Sequence, residues 1–201
     1  MKMFFSFLLL FFIYANASSQ VTTSVKAGVA ISNVEVKGND NMQIRITGYG
    51  GLSFNIPVID KIFFQPEALY SIRGYSFRPN SVSERHKVYF SYITAPLLFG
   101  YKISKNFSVV AGPELGYMVR ARYHSDDWMT NLYDGITRKF NVDVDAGVAV
   151  QVMKGLNVEA RVNFGVTALY RGVLFDQSGT AFAEVKDGYH RVIQVGVSLA
   201  L

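Results

Sequence analysis

Apolar and polar residues alternate along most of this chain, most clearly between Phe140 and Phe164. Phe140, Val142, Val144, Ala146, Val148 and Val150 share one parity, and Asn141, Asp143, Asp145, Gly147, Ala149 and Gln151 share the other. After a break at Lys154-Gly155, Val158, Ala160, Val162 and Phe164 alternate with Asn157, Glu159, Arg161 and Asn163. Side chains of a strand point alternately to opposite faces, so this stretch predicts a hairpin. One face carries no charge and the other carries several.

The same period recurs from Val21 onward, with turn signals between the runs. It predicts eight strands: about 22–34, 43–56, 62–75, 88–103, 107–122, the two of the hairpin running on to about 169, and 189–201. The connections between them alternate in length. Short ones fall at 57–61, 104–106 and 153–155, and long ones at 35–42, 76–87, 123–138 and 171–188. Bacterial outer-membrane barrels have this asymmetry, with short periplasmic turns and longer extracellular loops. Strands of ten or more residues also suit a tilted membrane-spanning strand, which takes about 9–11. The expected fold is therefore all-β, an eight-stranded antiparallel up-and-down transmembrane β-barrel over residues 21–201, with both termini periplasmic.

Period alone does not say which face meets lipid. A soluble lipocalin-like barrel would reverse the faces, with the apolar one lining a ligand cavity. The polar face here is rich in Gly, Ser, Thr and Asn, which suits a crowded interior. Its charges are nearly balanced: Lys26, Arg45, Arg73, Lys102, Arg120 and Arg161 against Glu67, Glu114, Asp143, Asp145 and Glu159. Buried charge is tolerated when it is paired, and the interior of an eight-stranded barrel is just wide enough for side chains to fill. The expectation is an apolar exterior in lipid and a lumen plugged by a paired charge network.

The first twenty residues stand apart. Lys2 precedes an apolar run from Met3 to Tyr14, and Ala15-Asn16-Ala17 fits a small-x-small cleavage pattern. This reads as a secretory signal peptide over residues 1–17, with cleavage up to residue 20 as an alternative; the run is short of the roughly 20 residues a spanning helix needs. The expected location is the bacterial outer membrane, after export. There is no cysteine, which excludes thiolate chemistry and disulfides. The formal charge is +5, and its basic residues are scattered, which gives no nucleic-acid footprint.

Aromatic residues are placed near both rims. Phe54, Phe63, Phe64, Phe99, Tyr101 and Phe107 fall near the short turns, and Tyr117, Tyr123, Tyr170 and Tyr189 near the long connections. They are the expected girdles of a membrane barrel. Pro66, Pro96 and Pro113 fall inside predicted strands. Proline cannot donate to a ladder, so each is expected to mark a bulge or a local break.

These prolines belong to segments that resemble a known family. Phe64-Gln65-Pro66-Glu67-Ala68-Leu69-Tyr70-Ser71 with Gly74, Tyr92-Ile93-Thr94-Ala95-Pro96-Leu97-Leu98 and Ala111-Gly112-Pro113-Glu114-Leu115-Gly116-Tyr117 resemble strands of the PorT-like outer-membrane β-barrel ("porin family") proteins of Bacteroidetes. Val25 to Asn33 is similar to the first strand of that family, and the resemblance runs in order across the chain from residue 21. It implies a barrel in the outer membrane and carries over no catalytic residue. The chain departs from many such barrels at its end, Leu199-Ala200-Leu201, where they carry an aromatic residue.

Candidate chemistry is sparse. His124-Ser125-Asp126-Asp127, His86 and His190 are the residue types of an enzymatic or metal-binding set, but their spacing matches neither a triad nor a closed metal site. No enzyme activity, cofactor or metal is expected. Trp128, Met129, Leu132 and Tyr133 in the third long connection, and Val173, Leu174, Phe175 and Phe182 in the fourth, are apolar residues in loops. Of these, Trp128, Leu132, Tyr133, Leu174 and Phe175 form a candidate contact surface for a protein partner. The expected partners are outer-membrane lipid and a protein held by the loops, with a structural or partner-binding role. The alternatives are a narrow porin-like channel and an accessory to transport or protein secretion.

Overall fold

The computed structural model describes residues 21–36, 43–77, 86–125, 128–131, 138–169, 173–175, 181–184 and 188–201. The strands are β1 (Thr22–Val36), β2 (Arg45–Ile59), β3 (Ile62–Phe77), β4 (His86–Lys102), β5 (Phe107–Ser125), β6 (Trp128–Asn131), β7 (Phe140–Met153), β8 (Leu156–Gly165), β9 (Val173–Phe175), β10 (Ala181–Glu184) and β11 (Gly188–Ala200). Eight of them form a closed antiparallel ring in the order β4-β3-β2-β1-β11-β8-β7-β5, and pairing of β4 with β5 completes it. Closure leaves no free sheet edge, which is what a β structure needs in lipid. The eight predicted strands are these eight. The alternation does not show β6, which pairs antiparallel with the end of β5, nor the small β9–β10 hairpin. Among the described residues no helix is long and apolar enough to cross a membrane.

The β1–β11 seam is in unbroken register from Ser24↔Ala200 to Val36↔Gly188. At its centre Gly28 faces Gly196 on one side and Tyr49 on the other. A Cβ on Gly28 would lie 2.6 Å from the Gly196 Cα and 2.7 Å from the Tyr49 ring. The missing side chains let the ring of Tyr49 lie against the seam from inside, a packing that aromatics give to strand glycines.

The faces are set as the alternation predicts. Val25, Val29, Ile93, Phe99, Val144, Val148, Val158, Ile193, Val195 and Val197 are exposed on the outer wall, while Lys26, Ser32, Thr94, Asp143, Asp145, Asn163, Gln194 and Ser198 are buried inside. The apolar face looks outward, which excludes a lipocalin-like arrangement.

Pro66 and Pro96 mark local breaks in the pairing, as expected, but no bulge. Pairing lapses between Pro66↔Leu97 and Leu69↔Thr94, and between Pro96↔Glu114 and Phe99↔Ala111, but the register is the same on both sides of each gap. Pro113 keeps its place opposite Val144. The strands run on because a lost N–H donor removes one rung without adding a residue. The register shifts lie elsewhere, at Pro57/Ile59, at Gln151/Met153, and between β4 and β5 at Ser91/Tyr92.

Two further expectations are corrected. Phe63 is 3% exposed and packs inside with Leu98 and Val110, so it closes the interior near the short turns instead of joining the girdle. Phe99, Tyr101 and Tyr117 do face outward, and Phe64 packs on Phe99 with ring centroids 5.1 Å apart. The seventh predicted strand ends at Gly165, not near Leu169. Leu169 is buried at the long-loop end among Val34, Tyr75, Val88, Phe90, Tyr92 and Met118. Its N–H donates to the Gly188 carbonyl at 2.7 Å and its carbonyl accepts from Arg138 N–H at 2.9 Å.

Candidate functional site

Polar residues of one strand face converge on the middle of the barrel, because every second residue of each of the eight strands points inward. The densest set forms two linked groups. In the first, Glu67 on β3 accepts from Lys26 Nζ at 2.7 Å, from Arg161 through both of its oxygens at 2.8 and 3.0 Å, and from Gln65 Nε2 at 2.6 Å. Lys26 also pairs with Glu159, and Arg161 reaches Asp145 at 3.3 Å. In the second, the Arg73 guanidinium donates to Asp143 at 2.6 Å and to Glu114. Asn141 donates to the same Asp143 oxygen at 2.9 Å. Asn163 joins the groups, donating to Asp145 at 2.6 Å and to Glu114 at 3.2 Å. Arg73, Glu114, Asp143 and Asp145 are each 0% exposed.

The partners are far apart in sequence and come from β1, β3, β5, β7 and β8. The bidentate fork of Arg161 on Glu67 suits a guanidinium, whose donors match carboxylate geometry. Buried charge of this kind is stable only when both partners are present.

The structure does not bring all of the predicted network residues together. Lys26, Glu67, Arg73, Glu114, Asp143, Asp145, Glu159 and Arg161 meet. Lys102 is exposed at the short-turn end, where it lines the mouth of a vestibule of about 380 Å³ together with Lys105 and Lys154. Arg120 is exposed on the outer wall. The cause is the register shift opposite it: Ser91 pairs with Arg120 while Tyr92 pairs with Met118, leaving Val119 as an extra residue. A bulge reverses the parity of the residues beyond it. Met118 is inside before the shift, and Ala121 packs against the interior cluster after it. Arg45 is partly buried, its guanidinium 4.0 Å from the centroid of the Tyr89 ring and donating to the Tyr89 hydroxyl. The predicted balance of charge is therefore corrected: five carboxylates meet three cations in this layer. Glu114 Oε2, Asp143 Oδ1, Asn141 Oδ1 and Asn163 Oδ1 are buried without a hydrogen-bond partner among the described residues, as is usual for groups that bind internal water.

His190, a candidate for chemistry by residue type alone, belongs to the edge of this network. It is buried, its Nε2 lies 3.0 Å from the Tyr92 hydroxyl, and its ring meets Tyr92 and Phe90 edge-on. Arg73 stacks 5.2 Å from the Tyr92 ring centroid, so the histidine caps the charge layer through the tyrosine. The signal for this was inward parity on the last strand. His86, His124 and Ser125 lie on strands with side chains outside the described residues, and Asp126 and Asp127 lie outside them altogether. Among the described residues no cluster of three metal-ligating side chains occurs. Of the candidate loop surface, Trp128 lies on β6 and Leu174 and Phe175 on β9, with side chains outside the described residues; Leu132 and Tyr133 fall outside them entirely.

A closed eight-stranded ring with a lipid-compatible outer wall and a polar interior defines a transmembrane β-barrel of the outer-membrane type. The chain belongs to the outer membrane protein beta-barrel domain family, whose model matches residues 15–171. This places the protein in the bilayer of the bacterial outer membrane. No curated protein matches it in sequence. Among solved structures it is similar to Neisserial surface protein A (NspA), with 14% identity and a TM-score of 0.58 over 90% of this chain and 99% of that one. It is also similar to Ail, the attachment invasion locus protein of Yersinia pestis, with 12% identity and a TM-score of 0.52 over 90% of this chain and 99% of that one. At these identities the likeness is one of fold.

Proposed function

We propose that this protein is a non-conducting outer-membrane scaffold that presents its long connections outside the cell to a protein partner. The observation that carries the reading is the charge layer across the barrel. Its Arg73, Glu114 and Asp143 side chains are 0% exposed, and apolar clusters lie toward both ends, Phe63, Leu98 and Val110 on one side and Phe90, Tyr92, Met118 and Leu169 on the other. A lumen filled in this way acts as a plug. Function then belongs to the loop end, and Trp128, Leu132, Tyr133, Leu174 and Phe175 are its contact surface. Kinship with the PorT-like barrels, resting on the Gln65-Pro66-Glu67 segment that builds the Glu67 centre, belongs to the same reading.

Recording in planar bilayers tests the plug: native protein gives no stepwise conductance, and regular channel openings would refute the reading. Replacing the third and fourth long connections by short turns tests the loops. The barrel still folds and a co-purifying partner is lost; unchanged co-purification would refute the contact surface. Export depends on residues 1–17 acting as a cleaved signal, which N-terminal sequencing of the mature protein checks.

A further inference from the structure

The vestibule of about 380 Å³ at the short-turn end has no part in a function carried by the long connections. Three lysines stand at its mouth: Lys102 at the end of β4, Lys105 on the turn that follows, and Lys154 on the turn between β7 and β8. All three are exposed, and none makes an ion pair among the described residues. The connections at this end are all described, and residues 1–20, which lead into β1, contain no Asp or Glu. The one acidic side chain in the lining, Glu159, lies deeper and is held by Lys26 and, at 3.8 Å, by Arg161. Backbone hydrogen bonds fix the lysine-bearing segments. The Phe107 carbonyl accepts from Ile103 and Ser104 N–H at 3.0 and 3.1 Å, and Gln151 N–H donates to the Asn106 carbonyl at 2.8 Å, which ties the end of β7 to the neighbouring turn. Behind the mouth the wall is hydroxyl and amide: Ser24, Ser53, Ser198, Asn55, Gln151 and Asn157.

We propose that this vestibule binds the acidic end of a peptide presented from the periplasm. The site lies at the opposite end of the barrel from the loop contact surface and does not depend on it. Short turns are on the periplasmic side of such barrels, so the ligand comes from that compartment. The volume is that of a small-ligand pocket, about 300–1,000 Å³. The buried charge layer closes it on the inside, so it takes the end of a chain and not a chain passing through. Three separate ammonium groups on two turns complement carboxylates spaced along a ligand, whereas an inorganic anion offers a single centre. The amides and hydroxyls behind them supply donors and acceptors for peptide N–H and C=O groups. A lipid headgroup does not fit, because these lysines border the lumen while the apolar wall faces the other way.

The test uses the folded full chain in a zwitterionic detergent and reads the fluorescence anisotropy of a labelled tetraglutamate peptide. Unlabelled tetraglutamate, tetraglutamine and inorganic phosphate compete at equal concentration. Native protein is expected to bind the label and to release it to tetraglutamate alone. Replacing Lys102, Lys105 and Lys154 together by glutamine weakens binding about tenfold, the loss expected for three solvent-exposed ion pairs. Asn55→Ala with Gln151→Ala weakens it about fivefold, as loss of neutral hydrogen bonds inside the vestibule does. Lys61→Gln, on the remaining short turn and outside the lining, leaves it unchanged. The proposal is overturned if tetraglutamine or phosphate displaces the label as well as tetraglutamate does. It is also overturned if the folded triple variant binds as tightly as the native chain, or if Lys61→Gln weakens binding as much as the triple variant. The competition on native protein needs no variant to fold.

Discussion

Replacing Arg73 by methionine isolates the energetics of the charge layer. Methionine keeps an unbranched flexible stem and removes the guanidinium that donates to Asp143 at 2.6 Å and to Glu114. Among the described residues the two carboxylates would keep donors only from Asn141, at 2.9 Å to Asp143, and Asn163, at 3.2 Å to Glu114. Lys26 and Arg161 do not fill the gap, because Glu67, Glu159 and Asp145 already hold them. Breaking a buried pair from one side costs about 3–5 kcal/mol, since the remaining charge stays desolvated. With a urea slope of about 2 kcal/mol per molar, a loss of about 4 kcal/mol lowers the unfolding midpoint by about 2 M. The assay is urea unfolding of the barrel in lipid vesicles, read by circular dichroism and by the fraction that keeps its fast migration on an unheated gel. Arg73→Met combined with Glu114→Gln and Asp143→Asn removes the stranded charge along with its partner. That variant should recover more than half of the loss, because replacing a whole buried ion pair is often close to neutral. A midpoint shift below about 0.5 M for Arg73→Met, or a triple variant no more stable than the single one, would show that the layer does not hold charge in the way described.

Other perturbations test the seam and the outer wall. Val195 sits outward near the middle of β11, 43% exposed between Val29 and Ala160. Val195→Arg should cost about 2–4 kcal/mol in the bilayer, as a charge near the midplane does, and an unchanged midpoint in vesicle unfolding would argue that this face is not in lipid. Gly28→Val forces a side chain into the backbone of β11 and the Tyr49 ring. It should cost at least about 1–3 kcal/mol by overpacking and reduce the heat-modifiable folded fraction; wild-type folding would mean that the seam can open to admit it.

Much of this architecture was legible in the sequence because a strand has a period of two. Alternation in each run named the wall and the lumen side, the lengths of the connections named the two ends, and eight runs set a ring whose interior side chains can fill. Lys26, Glu67, Arg73, Glu114, Asp143, Asp145, Glu159 and Arg161 could be placed inside by parity alone. What parity could not supply was stagger. The contact of Arg161 with Glu67 and that of Arg73 with Asp143 join strands that are distant in the chain, and no local pattern states which inward residues share a level.

Alternation along the chain is enough to specify eight strands with an uncharged face, and hence a barrel with lipid outside. How the interior is divided emerges when the strands meet in the ring. Phe63 faces inward where its place near a short turn suggested a girdle residue, and Leu169 left the strand to cap the far end. One extra residue at Val119 moved Arg120 from the lumen to the wall. The physical reason for the Arg120 case is the shift of register. A strand's period fixes a face only while the register is unbroken, and register is a property of two strands together, set by where closure of the ring places them.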